Sequence, residues 1–411
     1  MTSTRKDLDL NRRCSLISGG GEVRRPSIQH TESTKDYLVG TIPTHEDTES
    51  HEPKLRNVLS ELPSYIAGRR ASGPSTAALA SNESHETPIP SVLASVVAGA
   101  EALNRYPDMG AVELRNRIAV TLGTAPEQIT VGPGSVGVLQ QILAATCEPN
   151  NEVIFAWRSF EAYPIFVTLA GAVPVPDPLG PDEGHDLAAM RDAFTERTRV
   201  VIVCSPNNPT GATVDNESLS TFIASVPPRI LVVIDEAYVE YVDEVDRVDG
   251  ITLFRSYPNV CLLRTFSKAH GLAALRVGYA VAHPNLANAL RKVALPFRRE
   301  RTGPTGGHRF ARRRRSSPRP SCLGDHERLR VAGALRRAGW QIPDSQANFI
   351  WIRATADLMT ALKAAFDEAD ILVRAYEGDG VRITLADPVT NDKVLAVPIR
   401  FPPFQRQRLP N

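Results

Sequence analysis

Several polar residues of this chain stand where side chains that do chemistry are usually planted. Lys268 closes the string Phe266-Ser267-Lys268, Asp235 opens Asp235-Glu236-Ala237-Tyr238, and Asn208 lies within Ser205-Pro206-Asn207-Asn208-Pro209-Thr210-Gly211. Arg276 follows Lys268 by eight residues. A lysine amine that has lost its proton is a covalent nucleophile toward a carbonyl carbon. A carboxylate at the end of an apolar strand pairs with a cation or holds a proton, according to what faces it. The planar fork of arginine suits phosphate oxygens. Gly134-Ser135-Val136 precedes the helical run Val138 to Thr146, so backbone amides at a helix start are available to the same anion. Singly these are weak signals: a lysine after a strand is most often a solvated surface residue, an aspartate often caps a helix, and Asn-Pro often makes a turn. Their order and shared location carry the weight.

That location follows from the elements around them. Between about Glu101 and Pro296 short β-branched runs alternate with helical stretches, the pattern of a mostly parallel sheet covered by helices. The expected strands are Glu152 to Ala156, Arg199 to Cys204, Ile230 to Ile234, Val260 to Thr265 and Val277 to Ala282. Each is short, apolar and bounded by polar or turn residues, as buried parallel strands are. Three of the polar strings fall just past a strand's carboxyl end, the edge where open α/β sheets bind ligands. From about Glu327 helical and strand patterns resume (Leu329 to Gly339, Phe349 to Ile352, Ala361 to Ala369, Val381 to Leu385), enough for a second, smaller domain.

Composition excludes several alternatives. At 411 residues the chain exceeds what one hydrophobic core usually fills. Hydrophobic residues at 42% and charged residues at 23% are ordinary for a globular protein, and no apolar run has the length of a membrane span. Met1 to Leu10 carries charges with no apolar stretch behind them, so no secretory signal is expected and a cytoplasmic location is. Cys14, Cys147, Cys204, Cys261 and Cys322 are widely spaced, which argues against disulfides and against a metal site. Lys plus Arg number 47 against 46 Asp plus Glu, so net charge points to no nucleic acid or membrane partner. Residues 1–54 are polar and aperiodic, the composition of a disordered extension.

Together, Pro206-Asn207-Asn208-Pro209-Thr210-Gly211, Asp235-Glu236-Ala237-Tyr238 and Ser267-Lys268 with Arg276 resemble the fold-type I aminotransferases that depend on pyridoxal 5'-phosphate. Leu79-Ala80-Ser81-Asn82-Glu83, Asn104-Arg105-Tyr106-Pro107-Asp108 and Arg276-Val277-Gly278-Tyr279 look like the histidinol-phosphate aminotransferase family. Gly134-Ser135-Val136 with Trp157-Arg158-Ser159-Phe160-Glu161 is similar to its aromatic amino-acid (phenylalanine) branch. The resemblance runs from about Leu79 to Asp392. It implies an α/β fold: a large domain with a mostly parallel mixed sheet flanked by helices, over 101–296, and a smaller α+β domain built from 55–100 and 327–411.

The resemblance also distributes roles. Lys268 holds the cofactor aldehyde as a Schiff base and shuttles a proton, while Asp235 keeps the ring nitrogen protonated so that the ring accepts electrons. Asn208 and Tyr238 donate to the phenolic oxygen. Gly134, Ser135, Val136, Ser267 and Arg276 take the phosphate, and Tyr106 reaches the phosphate of a neighbouring subunit, which implies a homodimer with shared active sites. Phe160 stacks on the ring. Arg382 clamps the substrate carboxylate, with Asn82 beside it.

One stretch departs from the family. Arg298 to Arg319 holds nine arginines and no lysine where the family has a hinge and a long aliphatic helix, yet spacing is kept on either side. Matched length with unrelated composition suggests a compensated pair of frameshifts across 297–326. Such a replacement removes apolar burial worth several kcal/mol at about 25 cal/mol per Å², so reduced stability or activity is expected. The end after Lys393 is expected to lack a closing helix. Three further readings compete with aromatic aminotransfer: histidinol-phosphate aminotransfer, another reaction on the same fold, and an inactive scaffold or nucleic-acid binder acting through the Arg-rich run.

Overall fold

The computed structural model describes residues 53–65, 68–69, 71, 73, 75–243, 247–296 and 321–401. The extension expected over 1–54 therefore lies almost wholly outside the described residues, as do the Arg-rich run Arg298 to Arg319 and everything after residue 401. In chain order the strands are β1 (Ala77–Ala78), β2 (Ile129–Pro133), β3 (Glu152–Trp157), β4 (Val173–Pro178), β5 (Thr198–Cys204), β6 (Leu231–Asp235), β7 (Val260–Thr265), β8 (Val277–Val281), β9 (Phe349–Arg353), β10 (Ile371–Leu372), β11 (Arg374–Tyr376) and β12 (Gly380–Thr384).

Seven of them form one sheet in the order β2-β8-β7-β6-β5-β3-β4. From β7 through β4 every pairing is parallel, whereas β8 is antiparallel to both β7 and β2. The five strands expected from the apolar runs all occur, each within one residue of its expected bounds. Those runs are apolar throughout because both faces are covered. Val201, Val203, Val232, Ile234 and Leu262 join one buried cluster, while Val200, Ile202, Val233, Cys261 and Leu263 join another. Alternate residues of one strand thus fill two cores. The sequence reading passed over β2 and β4, which are the two sheet edges. β4 reads Val-Pro-Val-Pro-Asp-Pro, and prolines, which donate no amide to a ladder, are tolerated at an edge.

A second assembly is built around the antiparallel order β11-β12-β9 and the parallel pair β1-β10. Trp340, Ile350, Ile352, Leu362, Phe366, Val381 and Ile383 are buried together there. The helix Ser321–Arg337 begins before the expected resumption near Glu327. A helix does follow β12 at Pro388–Ala396, carrying past Lys393, and a single 3-10 turn over Pro398–Arg400 succeeds it. Arg328 ties this assembly to the large sheet's loops by donating from Nη1 to the Tyr241 carbonyl at 3.0 Å. The described residues from Arg56 onward form one compact unit.

Candidate active site

Strand direction gathers the chemistry. β5, β6 and β7 run parallel and in register, so Cys204 lies opposite Asp235 and Asp235 opposite Leu263. Because β8 returns antiparallel, its first residues reach the same edge: Gly278 pairs with Thr265, which sets Arg276 beside Ser267. β2 is antiparallel to β8 in turn, with Pro133 opposite Val277, and it delivers Gly134 there too. The loops after β5, β6 and β7 and the loop before β8 therefore enclose one cavity of about 230 Å³, whose wall also includes Asn82, Phe160 and Arg382.

Asp235 and Lys268 both line it. Asp235 is buried, and its Oδ2 accepts from the Tyr163 hydroxyl at 2.7 Å, while Oδ1 has no partner among the described residues. Burial pushes the carboxyl up to about 6, against the lowering effect of the Tyr163 hydrogen bond. A buried acceptor without a donor costs about 1–3 kcal/mol, so Oδ1 suits a cationic N–H. Lys268 Nζ donates to the Ser81 carbonyl at 3.0 Å and lies 5.8 Å from the centre of the Tyr238 ring. Burial first, then the charges of Arg382 and Arg276, push this amine down to about 7. An amine so tuned is about half uncharged at pH 7 and thus available as a nucleophile.

The anion end is built from backbone. Gly134, Ser135 and Val136, expected to precede a helix, form its first turn, since the helix spans Gly134–Thr146 and carries no side-chain cap. The Gly134 amide, expected to take the phosphate, already donates to the Arg276 carbonyl at 3.0 Å, so the open donors at the positive end of the helix dipole are the next amides, from Ser135 on. Gly134 has φ of +74°, and a Cβ on Gly278 would sit 2.2 Å from the Ser135 nitrogen. Arg276 Nη1 donates to the Ser267 hydroxyl at 3.3 Å and to the Ala273 carbonyl at 2.9 Å. Ser135, Val136, Ser267 and Arg276 all line the cavity, whereas Gly134 does not.

Opposite this end Arg382 is buried and meets only neutral acceptors: Asn208 Oδ1 and the Tyr376 hydroxyl from Nη1, and the Ala80 carbonyl from Nη2. Its Nε has no partner among the described residues. Asn82 Nδ2 donates to the Tyr238 hydroxyl at 2.9 Å. With Asn208 Oδ1 turned to Arg382, the Asn208 amide group remains as donor. Phe160 packs edge-to-face on Tyr163 at 5.5 Å between centroids. Tyr106 is 77% exposed and does not line the cavity.

The sequence reading missed Tyr163, Tyr376, Glu161 and Arg374. Tyr163 follows Phe160 by three residues, which gave no hint that its hydroxyl reaches a strand end far along the chain. Arg374 did leave a trace: it and Arg382 flank a tight hairpin and are directly opposed across β11 and β12, hence on one face. Cys204, also on the wall, has its thiol pushed up to about 12 by burial, with the nearby Asp235 charge adding to the rise, and is no nucleophile.

These residues fit pyridoxal 5'-phosphate: an acceptor without a donor for the ring nitrogen, an amine of lowered proton affinity for the aldehyde, and open amides beside Ser267 and Arg276 for the phosphate. No cluster of metal-ligating side chains occurs among the described residues. The chain is 45% identical over 353 residues to an aromatic amino acid aminotransferase of Streptomyces coelicolor, covering 85% of this chain and 98% of that protein. It is 47% identical over 344 residues to an aromatic amino acid aminotransferase of Mycobacteroides abscessus, covering 83% and 97%. A histidinol-phosphate aminotransferase of Sinorhizobium meliloti, solved in complex with pyridoxal-5'-phosphate, matches with a TM-score of 0.77 at 25% identity, covering 84% of this chain and 97% of that one. Residues 76–397 match the family Aminotransferase class I and II, and the chain belongs to that family of pyridoxal-phosphate enzymes.

Proposed function

We propose that this aminotransferase takes its amino group from an aromatic L-amino acid and passes it to a 2-oxo acid such as 2-oxoglutarate, in two half-reactions of ping-pong type. The observation that carries the chemistry is the pairing, across one cavity, of the unpartnered Asp235 Oδ1 with a lysine amine already low in proton affinity. When bound, pyridoxal phosphate supplies the electron sink for the Cα carbanion. Asp235 holds the proton at the ring nitrogen, and Asn208 and Tyr238 donate to the phenolic oxygen. Ser267, Arg276 and the amides of Ser135 and Val136 hold the phosphate. Phe160 covers the ring, and Asn82 orients the Tyr238 hydroxyl. Arg382 takes the α-carboxylate in its fork, which turns the Cα proton toward Lys268 Nζ, the group that removes it and later returns it.

The aromatic preference is supported by the names of the relatives at 45–47% identity. Histidinol-phosphate aminotransfer is the second reading, supported by the structural neighbour. Mixing the holoenzyme with phenylalanine or with histidinol phosphate under single-turnover conditions tests the two, since each donor that is used bleaches the visible absorbance of the lysine-bound cofactor. Bleaching by histidinol phosphate alone refutes the aromatic assignment.

Also proposed are a cytoplasmic location, small-molecule partners rather than nucleic acid or membrane, and a large domain over 101–296 with a small domain from 55–100 and 327–411. A homodimer in which Tyr106 reaches the partner's phosphate belongs to the same reading. Leu93, Val97, Leu103, Tyr106 and Met109 are each more than half exposed, an apolar exposure that a second copy would cover. Sedimentation of the purified chain as a monomer would refute the dimer.

A further inference from the structure

Two arginines face the same cavity and are treated differently. Arg374 and Arg382 stand opposed across β11 and β12, with their guanidiniums 5.7 and 5.8 Å from the centre of the Tyr376 ring. Like charges so placed repel. Arg382 meets only neutral acceptors, whereas Arg374 is paired with a carboxylate. Its Nε donates to Glu161 Oε2 at 3.0 Å, and its Nη2 donates to Oε1 and Oε2 at 2.9 and 2.8 Å. The side chains are 13% and 25% exposed, and both line the cavity. Glu161 stands at the entry to the helix Ala162–Leu169, so the pair joins the loop after β3 to the small sheet.

We propose that Glu161 is a specificity-determining residue: by occupying the fork of Arg374 it disfavours substrates with a second carboxylate or a phosphate, relative to substrates with one carboxylate and an uncharged ring. The inference rests on the proposed aminotransfer at this cavity. A second anion must either displace Glu161, stranding its carboxylate in a partly buried wall, or share Arg374 with it against like-charge repulsion. An aromatic ring meets neither penalty, and Tyr65 and Phe160, edge-to-face at 6.5 Å, offer it apolar wall. A dicarboxylic oxo acid enters by opening the pair, so Glu161 also sets how weakly that acceptor binds.

The test uses the cofactor-loaded full chain and two unreactive probes, glutarate and 3-phenylpropanoate, titrated by calorimetry. In Glu161→Gln the ratio of affinities shifts toward glutarate by at least about tenfold, the scale of one charge-assisted hydrogen-bonded contact. Glu161→Gln with Arg374→Gln loses that gain. Glu161→Asp, which keeps the charge but shortens its reach, gives a smaller shift in the same direction and covers the case of a poorly folded glutamine variant. A ratio within about twofold of the parent in the folded single variants, or a gain that survives in the double variant, overturns the proposal. Failure of the aromatic assignment shows up separately, as absent turnover of phenylalanine by the parent chain, because the probe ratio needs no turnover.

Discussion

The amine of Lys268 gives a sharp test, because its burial beside two arginines makes a quantitative claim about pH. With the amine pushed down to about 7, about one tenth of it is neutral at pH 6 and about nine tenths at pH 8. An ordinary lysine near 10.4 would be only about 0.4% neutral at pH 8. The protein free of cofactor should therefore offer roughly two-hundredfold more reactive amine at pH 8 than a free lysine does, and the neutral fraction of Lys268 should level off above that pH while the advantage shrinks. Reductive methylation by isotopically labelled formaldehyde, quantified by mass spectrometry on the Lys268 peptide from pH 5.5 to 10, measures this against Nα-acetyl-lysine amide. Arg382 is named after burial among the causes of the shift, so Arg382→Gln moves the midpoint upward. A labelling rate at Lys268 that still climbs tenfold per pH unit between 8 and 10 would refute the reasoning.

Asp235, whose carboxyl is raised to about 6 from 3.8, contributes stability that is present below about pH 4 and lost as pH rises through 6, about 3 kcal/mol in all. Asp235→Asn should accordingly stabilise the cofactor-free chain against urea at pH 8 while abolishing turnover, with no gain at pH 4. Tyr163→Phe strips Asp235 Oδ2 of its 2.7 Å donor and should destabilise the cofactor-free chain at pH 8 by about 1–3 kcal/mol, read from the urea midpoint. Gly278→Ala places a methyl 2.2 Å from the Ser135 nitrogen, and should release the cofactor on dialysis while the parent retains it.

How much of this was legible along the chain varied with the physics of each part. The central strands were plain because burial on both faces forces continuous apolar runs, and Val260–Thr265 was bounded to the residue. The edge strands β2 and β4 were not, because an edge tolerates the glycine and prolines that read as loop. The helix start at Gly134 was missed by four residues, since Gly134 and Gly137 break the period; a Cβ would sit 2.6 Å from Arg276 Nη2 at Gly134 and 2.5 Å from Pro133 Cγ at Gly137. Lys268, Asp235, Asn208, Tyr238, Ser267, Arg276, Arg382 and Asn82 were all named from their strings, and one cavity wall includes them.

By itself the sequence determined which residue types stand at strand ends, because local pattern fixes where a strand stops and which polar group follows it. Only the tertiary structure decided what those groups meet. The antiparallel return of β8 brings Arg276 to Ser267, the opposition of β11 and β12 puts two arginines on one face, and Tyr163 and Glu161 find partners 72 and 213 residues away. Strand direction and cross-strand register are set by the packing of whole layers, and no window of sequence short enough to read as a motif contains that packing.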